Sequence, residues 1–97
     1  MIQELWLGDC LNLLKNVEDK SVHQIIIDPP YFKIKGHAWD NQWKSADLFL
    51  YWLDSVIKEL ARIAKHSCSF YCFCHPKLSY EVESVIRNHF SVLGHIV

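Results

Sequence analysis

The sequence predicts an α/β domain with a largely parallel sheet and flanking helices, and three observations support this prediction. The run Val22–Ile27 ends in three consecutive isoleucines, which is typical of a strand buried on both faces. A second apolar run covers residues 67–74. Between the two runs, apolar residues recur at helical spacing across residues 45–65. Strands that alternate with helices in this way are typical of α/β domains with parallel sheets.

The first third of the chain is predicted to hold two strands and a short helix. Residues 5–7 are predicted to form the first strand, and Asp9 is placed to cap a helix over residues 11–15. The strand Val22–Ile27 follows. The two prolines behind it end it, because proline donates no backbone hydrogen bond to a neighbouring strand.

The rest of the chain continues the alternation. A helix is predicted over residues 45–65 with Ser45 as its N-cap, followed by the strand at residues 67–74. A further helix is predicted from Pro76 to about residue 89, and a last strand over residues 90–97. The predicted core stripe of the long helix consists of Phe49, Leu53, Val56, Ile57, Leu60 and Ile63. Because the sequence stops inside the last apolar run, we expect a truncated, incomplete domain.

Length and charge restrict the classes of function. The 97 residues make one small domain, and ten basic against eleven acidic residues give a net charge of -1. A chain that binds nucleic acid unaided needs a basic surface to neutralise phosphates. If DNA is the substrate, most of the affinity for it must therefore come from residues outside this chain. Four cysteines without a secretory signal or a long apolar run predict a cytoplasmic protein with free thiols and no membrane span.

A metal site is not predicted, although Cys68, Cys72, Cys74 and His75 lie close together in the sequence. On a strand that rises about 3.3 Å per residue, Cys68 and Cys72 lie roughly 13 Å apart. One tetrahedral zinc ion holds its sulfur ligands at about 2.3 Å and cannot bind both. These cysteines are therefore predicted to be core residues.

The residues most suited to chemistry are 28–31, with the sequence Asp-Pro-Pro-Tyr. The two prolines stiffen the turn and remove two N–H donors, which leaves the Asp28 carboxylate and the Pro29 carbonyl as acceptors. Tyr31 and Phe32 supply flat apolar faces. Two acceptors beside an aromatic ring suit a planar ligand with an exocyclic amino group. By local residues alone, a rigid proline turn is the competing interpretation.

The wider sequence resembles the opening of DNA amino-methyltransferases in which the catalytic loop precedes the cofactor-binding glycines. The resemblance covers nearly the whole chain and is carried by LWLGDCLNLLKNVEDKSVHQIIIDPPY and by KSADLFLYWLDSVIKELARIAKHSCSFYCFC. The pairing of GDCL with IIIDPPY about twenty residues later is its specific part. It implies a partial Rossmann-like methyltransferase domain that takes a methyl group from S-adenosylmethionine.

The resemblance also implies roles for the catalytic loop. Asp28 and the Pro29 carbonyl would accept hydrogen bonds from the amino group of a flipped base, and Tyr31 would stack on that base. Pro30 and Phe32 would line the same substrate pocket. Trp39 lies in a loop of mixed basic and aromatic residues that is predicted either to fold over DNA or to pack on the domain.

For the cofactor, the resemblance implies that Asp9 accepts a hydrogen bond from the adenine amino group and that the Cys10 N–H bonds a ring nitrogen. The competing interpretation of Asp9 is a helix N-cap. The glycine turn that holds the methionine end in such enzymes is absent, since Gly8, Gly36 and Gly94 are the only glycines. The target-recognition region is absent as well.

Several alternatives stay open. Aspartate at the first position of the tetrad is typical of adenine-N6 enzymes, and cytosine-N4 methylation is the runner-up. An RNA or protein amide methyltransferase is a third possibility. We expect residues 1–97 alone to be inactive, because the strands that carry the glycine turn are missing. The chain is then a fragment that only binds a partner, or a homo-oligomer formed through exposed sheet edges.

Overall fold

The computed structural model describes residues 3–30 and 43–95, and it shows two parallel strands and three helices in alternating order. The elements are α1 (Cys10–Leu13, continued by the 3₁₀ turn Leu14–Asn16), β1 (Val22–Ile27), α2 (Ala46–Ile63), β2 (Ala64–Cys72) and α3 (Ser79–Arg87, preceded by the 3₁₀ turn Pro76–Leu78). The predicted α/β class, parallel sheet and flanking helices are confirmed. Within the described residues, no helix is long and apolar enough to cross a membrane.

The two strands pair in register at their carboxyl halves. Gln24 lies opposite Ser69, Ile26 opposite Tyr71 and Ile27 opposite Cys72, whereas the register shifts between Val22 and Gln24. The pairing extends one residue beyond β2, because the Phe73 N–H donates to the Ile27 carbonyl at 3.0 Å. The backbone is therefore held by hydrogen bonds up to the residue that precedes Asp28.

The hydrophobic core lies between one face of the sheet and the two long helices. The buried side chains are Ile25, Phe49, Leu53, Val56, Ile57, Leu60, Ile63 and Val82. Six of them come from α2, which confirms the predicted stripe. Phe70 of β2 stacks on Phe90, with ring centroids 4.5 Å apart. Both α2 and α3 therefore cover the sheet face that carries Ile25 and Phe70.

The two predicted N-caps, Asp9 and Ser45, are confirmed, whereas several predicted boundaries differ from the structure, including that of β2, which covers Ala64–Cys72 and not residues 67–74. Ser45 caps α2 as expected, since its Oγ accepts from the Leu48 N–H at 3.2 Å. The predicted helix over residues 45–65 ends earlier, at Ile63, and the chain enters β2 directly at Ala64. The short helix near Asp9 and the turn at Pro76 form where they were expected.

Two predicted strands do not form. Residues 5–7 are in no regular element, and Leu5 and Leu7 are almost completely exposed. Residues 90–95 are likewise irregular, with Leu93 exposed, and residues 96 and 97 lie outside the described residues. A strand is stable only where a neighbour accepts its hydrogen bonds, and these segments pair with neither β1 nor β2.

The prediction that the strand Val22–Ile27 is buried on both faces is wrong. Ile26 is 62% exposed, and its partner Tyr71 on β2 is 55% exposed, because the helices cover only the opposite face. Burial on both faces requires two covering layers, and the described residues form a single one.

Candidate functional site

The predicted catalytic residues lie at the carboxyl edge of the sheet. Since β1 and β2 are parallel, the residues that follow them meet at the same edge: Asp28 after β1 and Phe73 after β2. Asp28 is exposed, and Pro29 and Pro30 are half-buried. Among the described residues, none donates a hydrogen bond to the Asp28 carboxylate or to the Pro29 carbonyl. Both acceptors remain available to a ligand.

The Asp28 carboxylate also acts on a neighbouring thiol. Burial raises the pKa of Cys72 from 9.0 to about 12, and the charges of Cys74 and Asp28 add to that rise. Cys72 is therefore a protonated thiol at neutral pH, and it is not suited to act as a nucleophile. All four cysteines are free, and no group of three potential metal ligands exists among residues 3–30 and 43–95. The prediction that these cysteines belong to the core is supported, since Cys68, Cys72 and Cys74 pack against it.

The predicted cofactor residues lie at the start of α1. The Asp9 Oδ1 accepts from the Leu11 N–H at 2.9 Å, and the Asp9 carbonyl accepts from Asn12 and Leu13. Asp9 is thus a helix N-cap, the competing interpretation of the sequence. The cap uses one carboxylate oxygen, and Oδ2 has no hydrogen-bond partner among the described residues. Cys10 begins the helix, and although the residue as a whole is exposed, partial desolvation of its thiol and the Asp9 charge raise its pKa.

Asp9 is not positioned by a strand, contrary to expectation. The predicted strand at residues 5–7 is absent, and α1 is anchored instead by Leu11 and Leu14, which pack against the core. Gly8 allows the close approach of this segment to α1. Its φ is +155°, and a Cβ there would lie 3.3 Å from the Leu13 Cδ1.

Arg62 of α2 donates hydrogen bonds to the segment that follows α1. This role was not predicted from the sequence. The Arg62 Nη2 donates to the Leu14 carbonyl and its Nη1 to the Val17 carbonyl, both at 2.9 Å, and Nη1 pairs with Asp19 at 2.6 Å. The Leu14 carbonyl also accepts the Val17 N–H across the 3₁₀ turn, whereas the Val17 carbonyl lies just past that turn, where intrahelical donors run out. An arginine in the last turn of a predicted helix was the only sequence signal.

The loop between β1 and α2 is fixed at its end by aromatic contacts. Trp43 lies 5.0 Å from the ring of Phe49 and 4.8 Å from that of Trp52. Trp52 is half-buried in this cluster. The predicted substrate residues Tyr31, Phe32 and Trp39 lie outside the described residues.

A histidine just after α3 contacts the long helix. The His89 Nε2 lies 2.8 Å from the Asp54 Oδ1, and the histidine is largely buried. This contact links the end of α3 to α2.

Comparison with known proteins identifies the family. Residues 22–97 match the family model for N6/N4 methyltransferases described as DNA methylase. The chain belongs to the N6/N4 DNA methylase family. It is also 34% identical over 93 residues to the DNA adenine methyltransferase YhdJ of Escherichia coli (strain K12), and the aligned part covers 93% of this chain and 31% of that relative.

The family match includes the residues at the carboxyl edge of the sheet. The match begins at Val22, the first residue of β1, and so includes the whole Asp-Pro-Pro-Tyr segment. DNA methyltransferases of this kind depend on S-adenosylmethionine. This N6/N4 methylase chain spans less than a third of the length of YhdJ. The activity and the substrate of a complete enzyme are therefore proposals for this chain.

Proposed function

We propose that this chain is the catalytic-loop part of an adenine-N6 DNA methyltransferase. The observation that carries the proposal is the pair of free acceptors at the end of β1: the Asp28 carboxylate and the Pro29 carbonyl. Hydrogen bonds hold β1 up to Ile27, so the start of this turn is fixed before a ligand arrives. A fixed pair of acceptors is what stabilises a developing charge without reorganisation.

The chemistry follows from the weak nucleophilicity of a base amine, whose lone pair is conjugated with the ring. Asp28 and the Pro29 carbonyl each accept a hydrogen bond from one N–H of the amine, which favours a pyramidal nitrogen with a localised lone pair. This interaction is stronger in the transition state than in the ground state and therefore raises the rate. S-adenosylmethionine, when bound, supplies the electrophilic methyl group.

The substrate base must leave the DNA stack to reach these acceptors. Tyr31 is assigned the stacking role by the family resemblance, with Pro30, Phe32 and Trp39 around the base. Stacking on an aromatic ring is worth about 1–3 kcal/mol per base. That is comparable with the few kcal/mol that flipping costs.

The start of α1 fits the adenine end of S-adenosylmethionine. The Asp9 Oδ2 is available to accept from the adenine amino group, and the Cys10 N–H, at the first helical position, has no described carbonyl as acceptor. Asp9 supplies a hydrogen-bond acceptor and the Cys10 N–H supplies a donor. They complement the adenine ring, whose amino group donates and whose ring nitrogen accepts. The fit extends to the adenine end alone, because no glycine turn exists for the methionine end.

Adenine is favoured over cytosine by two facts: aspartate stands at the first tetrad position, and YhdJ is named a DNA adenine methyltransferase. Cytosine-N4 methylation is the second candidate.

A further candidate is a fragment that binds a partner without catalysis, which the open two-stranded sheet favours. Pairing of two copies through the sheet edges is its homo-oligomeric form. Four free cysteines support a cytoplasmic location.

A chimera tests the proposal. The matched segment of YhdJ is replaced by this chain, and methylated bases in DNA are measured by mass spectrometry. We expect N6-methyladenine, and we expect Asp28→Ala to lower the rate about 100- to 1,000-fold, as for the loss of one preorganised group at a transition state.

Glu18→Ala is the matched control, because Glu18 is an exposed carboxylate that precedes β1, at the opposite end of this strand from Asp28, and its loss should leave the rate unchanged. N4-methylcytosine as the product would favour the second candidate. A folded chimera without activity, or one that tolerates Asp28→Ala, would contradict the proposal.

A further inference from the structure

An aromatic residue directly after β2 is the neighbour of the proposed amine site. The Phe73 N–H donates to the Ile27 carbonyl, so the backbone at Phe73 is bonded to the residue that precedes Asp28. Ile27 lies opposite Cys72 in the register of the sheet, which places Asp28 and Phe73 opposite each other as the next pair. Neighbouring strands run about 4.8 Å apart, and this is the separation expected for the two backbones.

The side chains of Phe73 and Asp28 lie on the same face of the sheet. Side chains alternate along a strand, and Cys72 and Cys74 both pack against the core, so Phe73 between them lies on the opposite face. Its exposed fraction is 60%. On β1, Ile27 packs against the core and Asp28 is exposed. The proline behind Asp28 favours an extended backbone, which continues the alternation and places its carboxylate on the face of Phe73.

The Phe73 ring contributes little to the core of the described fold. It is not among the residues that form this core or pack against it. Binding sites for small planar molecules combine aromatic or apolar walls with a few polar groups that fix the orientation of the ligand. Phe73 supplies such a wall, and the Asp28 carboxylate supplies such a polar group. The two adjacent side chains therefore have the composition of one binding site.

We propose that Phe73 is a substrate-contacting residue, whose ring packs against the base that donates its amino group to Asp28 and the Pro29 carbonyl. This proposal rests on the proposed function, because these two acceptors determine where the base lies. An amine bonded to the carboxylate is about 2.9 Å from it, so the base passes close to a side chain that projects from the neighbouring strand on the same face. Phe73 is that side chain.

Contact between the ring and the base also affects the hydrogen bonds at Asp28. The ring displaces water from the side of the carboxylate that faces β2, and a hydrogen bond is electrostatically stronger where water is excluded. Tyr71 lies on the same face but opposite Ile26. It is two residues, or about 6.6 Å, farther from the carboxyl edge than Phe73, and this separation prevents it from taking the same role.

Binding of an adenine nucleoside by the 97-residue chain tests this inference. The probe is deoxyadenosine, and its dissociation constant is measured by NMR at the Asp28 and Phe73 amides, which separates this site from the one at Asp9. Phe73→Leu keeps an apolar side chain but removes the ring. We expect it to raise the dissociation constant at least about fivefold, the lower limit for stacking of a base on an aromatic ring. Phe73→Tyr keeps the ring and should bind like the wild type.

Tyr71→Leu is the matched control, since Tyr71 is an aromatic residue on the same face with an exposed fraction of 55%. It should bind deoxyadenosine like the wild type. Equal weakening by Tyr71→Leu and Phe73→Leu would overturn the inference, as would wild-type affinity in Phe73→Leu or amides of Asp28 and Phe73 that do not respond to the nucleoside. Binding that depends on Phe73, together with an inactive chimera, would support the inference and contradict only the proposed methyl transfer.

Discussion

Asp9 shows how one residue can serve the fold and a ligand together. Its Oδ1 caps α1, while its Oδ2 is free among the described residues. The cap was predictable from the sequence because its partner, the Leu11 N–H, lies two residues away. Asp28 was identified in the same way, from its immediate neighbours Pro29 and Pro30. The structure adds that both carboxylates are exposed.

Two substitutions of Asp9 separate the two roles. Asp9→Ala should destabilise the chain by about 1 kcal/mol through loss of the cap, and should also abolish binding of the adenine end of the cofactor. Asp9→Ser keeps a capping oxygen but loses the second acceptor, so stability should be retained while binding is lost. Urea unfolding gives the stability, and NMR titration with S-adenosylhomocysteine, followed at the Cys10 and Leu11 amides, gives the binding. Equal binding by Asp9→Ser and wild type would leave Asp9 as a cap only.

At the scale of helices and strands, the contacts of Arg62 could not be predicted from the sequence. It holds the carbonyls of Leu14 and Val17, which precede it by 48 and 45 residues. No periodicity or local motif connects positions so far apart, whereas the stripe of α2 was predictable because its members follow one another at helical spacing. The same reason explains the missing strands: residues 5–7 and 90–95 have the composition of strands, but a strand depends on a distant partner.

Replacing Arg62 should loosen α1 more than it disturbs the rest of the fold. Arg62→Met keeps most of the side-chain length and removes the arginine donors to both carbonyls, which leaves the Leu14 carbonyl with the Val17 N–H as its donor. We expect a lower urea midpoint and faster hydrogen exchange across residues 10–17. Arg87→Met is the control, because Arg87 makes a single exposed i,i+4 pair with Glu83 and such pairs contribute little. A midpoint shift no larger for Arg62→Met than for the control would show that the core contacts of Leu11 and Leu14 suffice to hold α1.

At the scale of the whole molecule, one helical layer covers a two-stranded sheet. The consecutive isoleucines of β1 predicted burial on both faces, and that pattern suits a sheet with two covering layers. The described chain supplies one, so Ile25 is buried and Ile26 is exposed. The sequence pattern therefore differs from the fold of the described residues, in which one face of the sheet stays open.

This difference leads to a prediction about activity. The chain has the proposed base-amine acceptors at Asp28 and Pro29 and the proposed adenine site at Asp9, but its three glycines are too far apart in the sequence to form the glycine turn expected for the methionine end of the cofactor. Without that turn the methyl group is not held against the amine, and the advantage of orientation is lost, which amounts to about 7–11 kcal/mol in well-oriented systems. We therefore expect no transfer of labelled methyl groups to DNA by residues 1–97 alone, and activity in the chimera with YhdJ under the same conditions. Labelled DNA formed by the purified 97-residue chain, and lost with Asp28→Ala, would show that these residues position the cofactor by themselves.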